Sequence, residues 1–218
     1  MTFDQFLYGK REDSTINTND QELCLETEAS ISAFRAIWVA PSIILGMGMT
    51  RLSSDAITLF RSRHNVQIDW IPLVWAVCIF IWQIQYLWAI IELPTIVQEW
   101  TLFDFFILLF LSLSLFVSAA LVFPDNQLHA GARLEDNFLR DGRWSLIALS
   151  AWGFTAVLAD LTLFNEPFLS RNVGLMAVIA VAPLIYLITH RRALRALITG
   201  SNLALTLWTA WVLSPKSY

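Results

Sequence analysis

Residues 68–91 read IDWIPLVWAVCIFIWQIQYLWAII, with Asp69 the one charged side chain in the stretch. A hydrocarbon layer ~30 Å thick is crossed by about 20 mostly apolar residues in a helix. A membrane strand needs only about 10 residues and alternates in polarity, and nothing in 68–91 alternates. A helix also satisfies its own backbone hydrogen bonds, which lipid requires. The segment therefore predicts a transmembrane helix and sets the scale for reading the rest of the chain.

Five further stretches fit that scale. Residues 34–52 contain Trp38-Val39-Ala40-Pro41 and Ile44-Leu45-Gly46-Met47-Gly48-Met49. Residues 102–123 contain Phe105-Phe106-Ile107-Leu108-Leu109-Phe110-Leu111. Residues 144–164, 173–188 and 196–213 follow, and the last two are joined by a tight hairpin, Thr189-His190-Arg191-Arg192-Ala193-Leu194-Arg195. The expected fold is all-α: a polytopic membrane protein built as a bundle of six transmembrane helices over 31–218. Residues 1–30 are polar and aperiodic and are expected to form an acidic extracytoplasmic tail.

Composition agrees with this class. Of 218 residues, 56% are hydrophobic and 15% charged, with ten Trp and fifteen Phe. Soluble domains carry about 25% charged residues. The net charge of −4 is uneven, because seven of the eighteen carboxylates precede Ser30: Asp4, Glu12, Asp13, Asp20, Glu22, Glu26 and Glu28. No basic surface suggests a nucleic-acid partner. Cys24 and Cys78 fall in different environments, so no disulfide is expected between them. No apolar core flanked by basic residues marks a cleavable leader in the first thirty residues.

Lysine and arginine counts set the expected orientation. Of the fourteen, nine lie after the first, third and fifth spans: Arg51, Arg61, Arg63, Arg133, Arg140, Arg143, Arg191, Arg192 and Arg195. The opposite side holds Lys10, Arg11, Arg35, Arg171 and Lys216. The arginine-rich side is thus expected to be cytoplasmic, in a cell (inner) membrane, with both termini outside. Loss of one weak span, 173–188 first among them, would place the termini on opposite sides. Tryptophans near the span ends, such as Trp70, Trp144, Trp208 and Trp211, fit an interfacial belt. Residues 53–63 predict an amphipathic extension of the first helix, and Leu134–Asp141 a short interfacial helix ending at Gly142. Helices one to three do not align with four to six, so an inverted repeat has no support.

Polar side chains within spans are costly in lipid and mark candidate sites. Cys78, Gln85 and Glu92 recur at seven residues and share one helix face. Gln85 either hydrogen-bonds a neighbouring helix or lines a polar cavity, while Gln83 lies on a different face and can serve a second neighbour. Gly153, Ala156 and Asp160 trace a small face that ends in an acid. Asp160 is the foremost candidate; the alternatives are pairing with Arg35 or solvation at the interface. Asp104 opens the third span, where an acid also complements the helix dipole. Arg35, Glu92, Asp104, Asp160 and Glu166 all map to the outer end, giving a candidate polar path or electronegative vestibule with Gln85. Two stripes suit helix packing: Ser42, Gly46 and Thr50 in the first span, and Thr199, Asn202, Thr206 and Thr209 in the sixth.

Enzyme and cofactor signatures are absent from the sequence. His64, His129 and His190 lie in or near loops and no HExxH occurs. No GxSxG, GxGxxG or P-loop motif occurs, no lysine lies in a span, and no metal or cofactor is expected. The run Leu45–Leu52 and the pair Arg143-Trp144 resemble bacterial multi-span proteins in general, and that resemblance implies no activity. Two readings follow. One is a small transporter or channel-like subunit for cations or protons, oligomeric or paired with another membrane protein. The other is a membrane-embedded interaction, sensory or scaffold protein whose arginine-rich loops meet headgroups or a partner.

Overall fold

In a computed structural model of the chain, the described residues are 18–63, 69–93, 101–123, 134–162 and 170–213, with side chains described from Trp38 onward save a few in α4, α6 and at the end of α7. The acidic tail before Thr18, His64, His129, Glu166 and the side chains of Cys24 and Arg35 lie outside them. The chain divides into two compact units, residues 1–37 and 38–218, and the second carries the architecture that follows.

Among the described residues every regular element is a helix: α1 Thr18–Arg61, α2 Trp70–Glu92, α3 Leu102–Leu121, α4 Leu134–Arg140, α5 Arg143–Thr162, α6 Arg171–Ile188 and α7 Arg192–Leu213. Their starts are locally encoded. Asp69 caps α2 by accepting from Ile71 N at 3.0 Å. Thr101 and Asp104 form a reciprocal capping box on α3, so two otherwise orphaned N–H groups are satisfied. Ser170 accepts from Val173 N at 3.2 Å to begin α6.

Three helices, α2, α3 and α5, are long and apolar enough to cross a membrane, and a shorter apolar helix covers Val173–Ile188. The expected first and sixth spans fall in α1 and α7, which over their full lengths are less apolar: α1 continues past the expected span through Asp55 and Arg61, and α7 begins before it with Arg192 and Arg195.

Helices α2, α3, α5, α6 and α7 pack in that order and α7 returns to α2, so they close a ring. Consecutive members run antiparallel. Tyr86, near the end of α2, donates through Oη to Leu108 O near the start of α3 at 2.8 Å. Ser118, late in α3, donates to Ser145 O early in α5 at 3.0 Å, and Ser145 Oγ returns the bond to Ser118 O at 2.7 Å. Gly153 of α5 lies against Ala180 of α6 so closely that an added Cβ would sit 2.7 Å from the alanine methyl. A ring of five cannot alternate throughout, so α7 and α2 are parallel. Their first residues are tied by Arg192 Nη2 and Asp69 Oδ2 at 2.6 Å. Further along, Gln85 Nε2 donates to Thr206 O at 3.5 Å.

The ring's interior is mainly apolar, with Ser112, Ser118, Ser145, Asn202 and Thr206 among its buried side chains, and Gln83 is buried on the side that faces Gly48 of α1. Phe103, Phe106, Phe110, Leu158, Ile185 and Trp211 are exposed on the outer surface. Soluble monomers rarely expose an apolar surface of that extent; in lipid it is the solvated face.

At the arginine-bearing end, α4 packs against α2 and α5. Its Leu134 and Phe138 are fully buried, so this short helix packs one face into the bundle. Phe138 meets Tyr186 edge-on at 6.1 Å and Trp75 meets the same ring at 5.6 Å. Gly142 leaves the space that Phe138 occupies. Outside the ring, α1 buries Leu45, Gly48, Leu52 and Leu59. Gly48 is where α1 comes closest to Gln83 and Phe116.

Candidate functional site

Four helices of the ring surround a cavity of about 140 Å³. Its walls are Trp82, Gln85, Tyr86 and Ala89 from α2, Leu108 and Leu111 from α3, Trp152, Ala156, Ala159 and Asp160 from α5, and Met176 from α6, with Ile90 and Leu93 at the end of α2. Helical spacing explains the arrangement. Trp82, Gln85, Tyr86 and Ala89 follow an i, i+3, i+4, i+7 stripe, and Trp152, Ala156 and Asp160 follow i, i+4, i+8. Ala156 and Ala159 leave the volume that larger side chains would fill.

The aromatic walls are fixed. Trp82 and Trp152 stack at a tilt of 49° with ring centroids 5.0 Å apart. Their buried indole N–H groups have no hydrogen-bond acceptor among the described residues. Tyr86 spends its hydroxyl on Leu108 O, so the tyrosine offers the cavity an apolar ring. Gln85 reaches α7 through its amide nitrogen, and its buried Oε1 has no donor among the described residues. Asp160 is half-buried two residues from the end of α5. A carboxylate there opposes the helix dipole at a cost of roughly 0.3–1 kcal/mol, so helix capping does not account for it.

The remaining expected site residues are placed as follows. Glu92 is exposed at the end of α2 and accepts from Trp88 Nε1 at 2.8 Å. Asp104 accepts from Thr101 N at 2.9 Å in the α3 capping box. Both are near the cavity end of the bundle, and neither lines the cavity. Among the described site residues, Gln85 and Asp160 are therefore the two that converge. On α7, Asn202 and Thr206 are buried and face Cys78 of α2 without a well-formed hydrogen bond to the thiol. Thr209 donates to Thr206 O at 2.8 Å. Gly46 and Thr50 are exposed on α1; Thr50 bonds back to Gly46 O at 2.8 Å, and an added Cβ at Gly46 meets open space.

Two features escaped the sequence reading. The pairing of Trp82 with Trp152 joins α2 to α5, and nothing in either helix alone encodes it. The Trp75–Phe138–Tyr186 cluster joins three helices at the opposite end. The seven-residue step from Trp75 to Trp82 was the available signal, since it puts both indoles on one face of α2.

At the arginine-bearing end, Arg63 lies 4.3 Å over Phe60 and Arg143 5.5 Å over Trp144. The hydrogen bond that Arg140 donates to Asp141, reinforced by the carboxylate's charge, pushes the exposed Arg140 guanidinium further up from its ordinary value. Among the described residues no three His, Cys, Asp or Glu side chains gather so as to hold a metal ion. No family model, curated protein or solved structure matches the chain.

Proposed function

We propose that the chain is a six-span membrane protein, with both termini outside the cytoplasm, that binds and moves cations or protons as a small transporter or channel-like subunit. One observation carries this reading: Gln85 and Asp160 line a single cavity inside a ring whose outer surface is apolar. Acids within the membrane are costly and are kept where they meet a cavity or a partner. A carboxylate in a wall of low polarity attracts a cation far more strongly than it would in water.

The six-span topology adds α1 and α7 to the apolar helices. It agrees with the alternating directions of α2, α3, α5, α6 and α7, and with a nine-to-five excess of arginine and lysine on one side. In this reading the cavity opens toward the acidic outer end. The Trp75–Phe138–Tyr186 cluster closes the cytoplasmic end and must part for passage.

Ion flux into proteoliposomes tests the reading. The native chain should conduct protons or a cation down an imposed gradient, and Asp160→Asn should reduce the rate at least tenfold. Proteoliposomes no leakier than protein-free vesicles to every common cation would sink it.

A second reading, as an interaction or sensory protein, is favoured by the Arg63–Phe60 and Arg143–Trp144 stacks. Such pairs hold guanidinium groups at headgroup level beside an anchoring ring. Binding to anionic vesicles that survives 0.5 M salt would favour a specific lipid contact over general charge attraction.

A further inference from the structure

We propose that the cavity binds one compact, uncharged hydrocarbon-like molecule about the size of benzene, held among Leu108 and Leu111 of α3, Ala156 of α5 and Met176 of α6.

The cavity is built to persist. Ala89, Ala156 and Ala159 present methyl groups where larger side chains would fill the space. Trp82 and Trp152, with ring centroids 5.0 Å apart, pin α2 to α5, and the Tyr86 bond to Leu108 O, at 2.8 Å, pins α2 to α3. The helices cannot close on the space without breaking those contacts.

The wall decides what fills it. The Tyr86 hydroxyl is spent on Leu108 O. The indole nitrogens of Trp82 and Trp152, and Gln85 Oε1, are fully buried in the wall, out of reach of an occupant. The Asp160 carboxylate is already engaged in an interaction of its own. Water needs about 2–4 polar partners to stay in a cavity, and this wall withholds them. A charged or hydrogen-bonding molecule would give up its hydration and gain no bond in return. An empty cavity leaves its lining without dispersion partners, and an apolar molecule supplies them. Volume sets the size: about 140 Å³ is close to the roughly 150 Å³ at which a dry apolar protein cavity takes up benzene. A rigid, compact molecule also loses less conformational entropy on binding than an alkyl chain does. Met176, unbranched, adjusts to the outline of the occupant. Apolar molecules of this kind dissolve in the lipid around the ring. On the transport reading above, an occupied cavity blocks the ion's path between Gln85 and Asp160; the block rests on that reading and the binding does not.

Fluorine NMR of fluorobenzene with the full chain in detergent tests the site, with protein-free detergent as the blank. Fluorobenzene should bind saturably, and toluene should displace it at least tenfold better than benzylammonium chloride of nearly the same shape. Ala156→Leu, which fills the cavity, should weaken fluorobenzene at least tenfold; should that variant fail to fold, Ala159→Leu fills the cavity from the same wall. No saturable binding beyond the blank overturns the proposal, as does benzylammonium that displaces as well as toluene, and neither result depends on a variant. Displacement of fluorobenzene by an equal concentration of short-chain phosphatidylcholine also overturns it, by assigning the cavity to the end of a lipid chain. Ion flux without fluorobenzene binding overturns the site and leaves the transport reading standing. Saturable binding without ion flux upholds the site and removes the block.

Discussion

Arg192 Nη2 and Asp69 Oδ2, 2.6 Å apart, join the starts of two parallel helices and close the five-helix ring. Asp69 has a second task, capping α2 through Ile71 N. The two substitutions are therefore unequal. Arg192→Ala removes an ion pair whose arginine side chain is 68% exposed, worth under ~1 kcal/mol after solvent screening. Asp69→Ala removes the pair and the cap, and the cap adds about 1 kcal/mol. Thermal unfolding in detergent should rank Asp69→Ala below Arg192→Ala. Added salt should close most of the gap between native and Arg192→Ala, and narrow that between native and Asp69→Ala only in part, since the cap remains lost. Equal losses from both variants would mean the cap contributes nothing.

Two glycines should respond to alanine in opposite directions. At Gly153 a new Cβ would sit 2.7 Å from Ala180 Cβ and 2.8 Å from its Cα. Backbone cannot yield there without separating α5 from α6, so Gly153→Ala should cost about 1–3 kcal/mol as overpacking does. At Gly46 the Cβ meets open space on an exposed helical face. Gly46→Ala should stabilise by up to about 1 kcal/mol through helix propensity. Melting temperatures of the pair, taken in one detergent, decide it; a loss at Gly46 would reveal a partner seated on α1.

Asp160 and Asp104 separate a cavity acid from a capping acid. Asp104→Asn should lower stability by about 1 kcal/mol through the α3 capping box and leave flux within twofold of native. Asp160→Asn should cut flux at least tenfold. Matching flux losses in both variants would point to a diffuse outer field instead of a local site.

The helices were readable because hydropathy acts within one segment. Residues 70–92 needed no neighbour to be recognised as a helix. Helix faces were harder to read, for a physical reason. In lipid both the packed side and the outer side of a helix are apolar, so amphipathicity does not mark which side is buried. In α1 the stripe Ser42–Gly46–Thr50 and the stripe Leu45–Gly48–Leu52 have nearly the same period. The structure buries the second, whose Leu45 and Gly48 approach the ring while Gly46 and Thr50 are exposed. On α7 the polar stripe at Asn202 and Thr206 is the buried one. The convergence of Gln85 with Asp160 depends on ring order, which no single helix encodes. Only the grouping of acids toward one end was available from topology.

The α2–α7 seam buries polar side chains of α7, and Asn202 tests whether they serve function. The seam has the long Gln85–Thr206 bond and the facing groups Cys78, Asn202 and Thr206. Among the described residues, neither polar atom of the buried Asn202 amide has a well-formed hydrogen bond, and nor does the Thr206 hydroxyl. A buried amide in that state costs about 1–3 kcal/mol. Leucine has nearly the same shape and no such cost. Asn202→Leu should therefore raise stability by about 1–2 kcal/mol, and by stiffening the seam should slow flux several-fold. In a Cys24→Ser background it should also slow maleimide labelling of buried Cys78, which reports opening of the same seam. Higher melting temperature with slower flux and labelling would identify the seam as the moving part of the ring. A lower melting temperature would show that the Asn202 amide already has its hydrogen bonds, through bound water, and that the opening lies elsewhere.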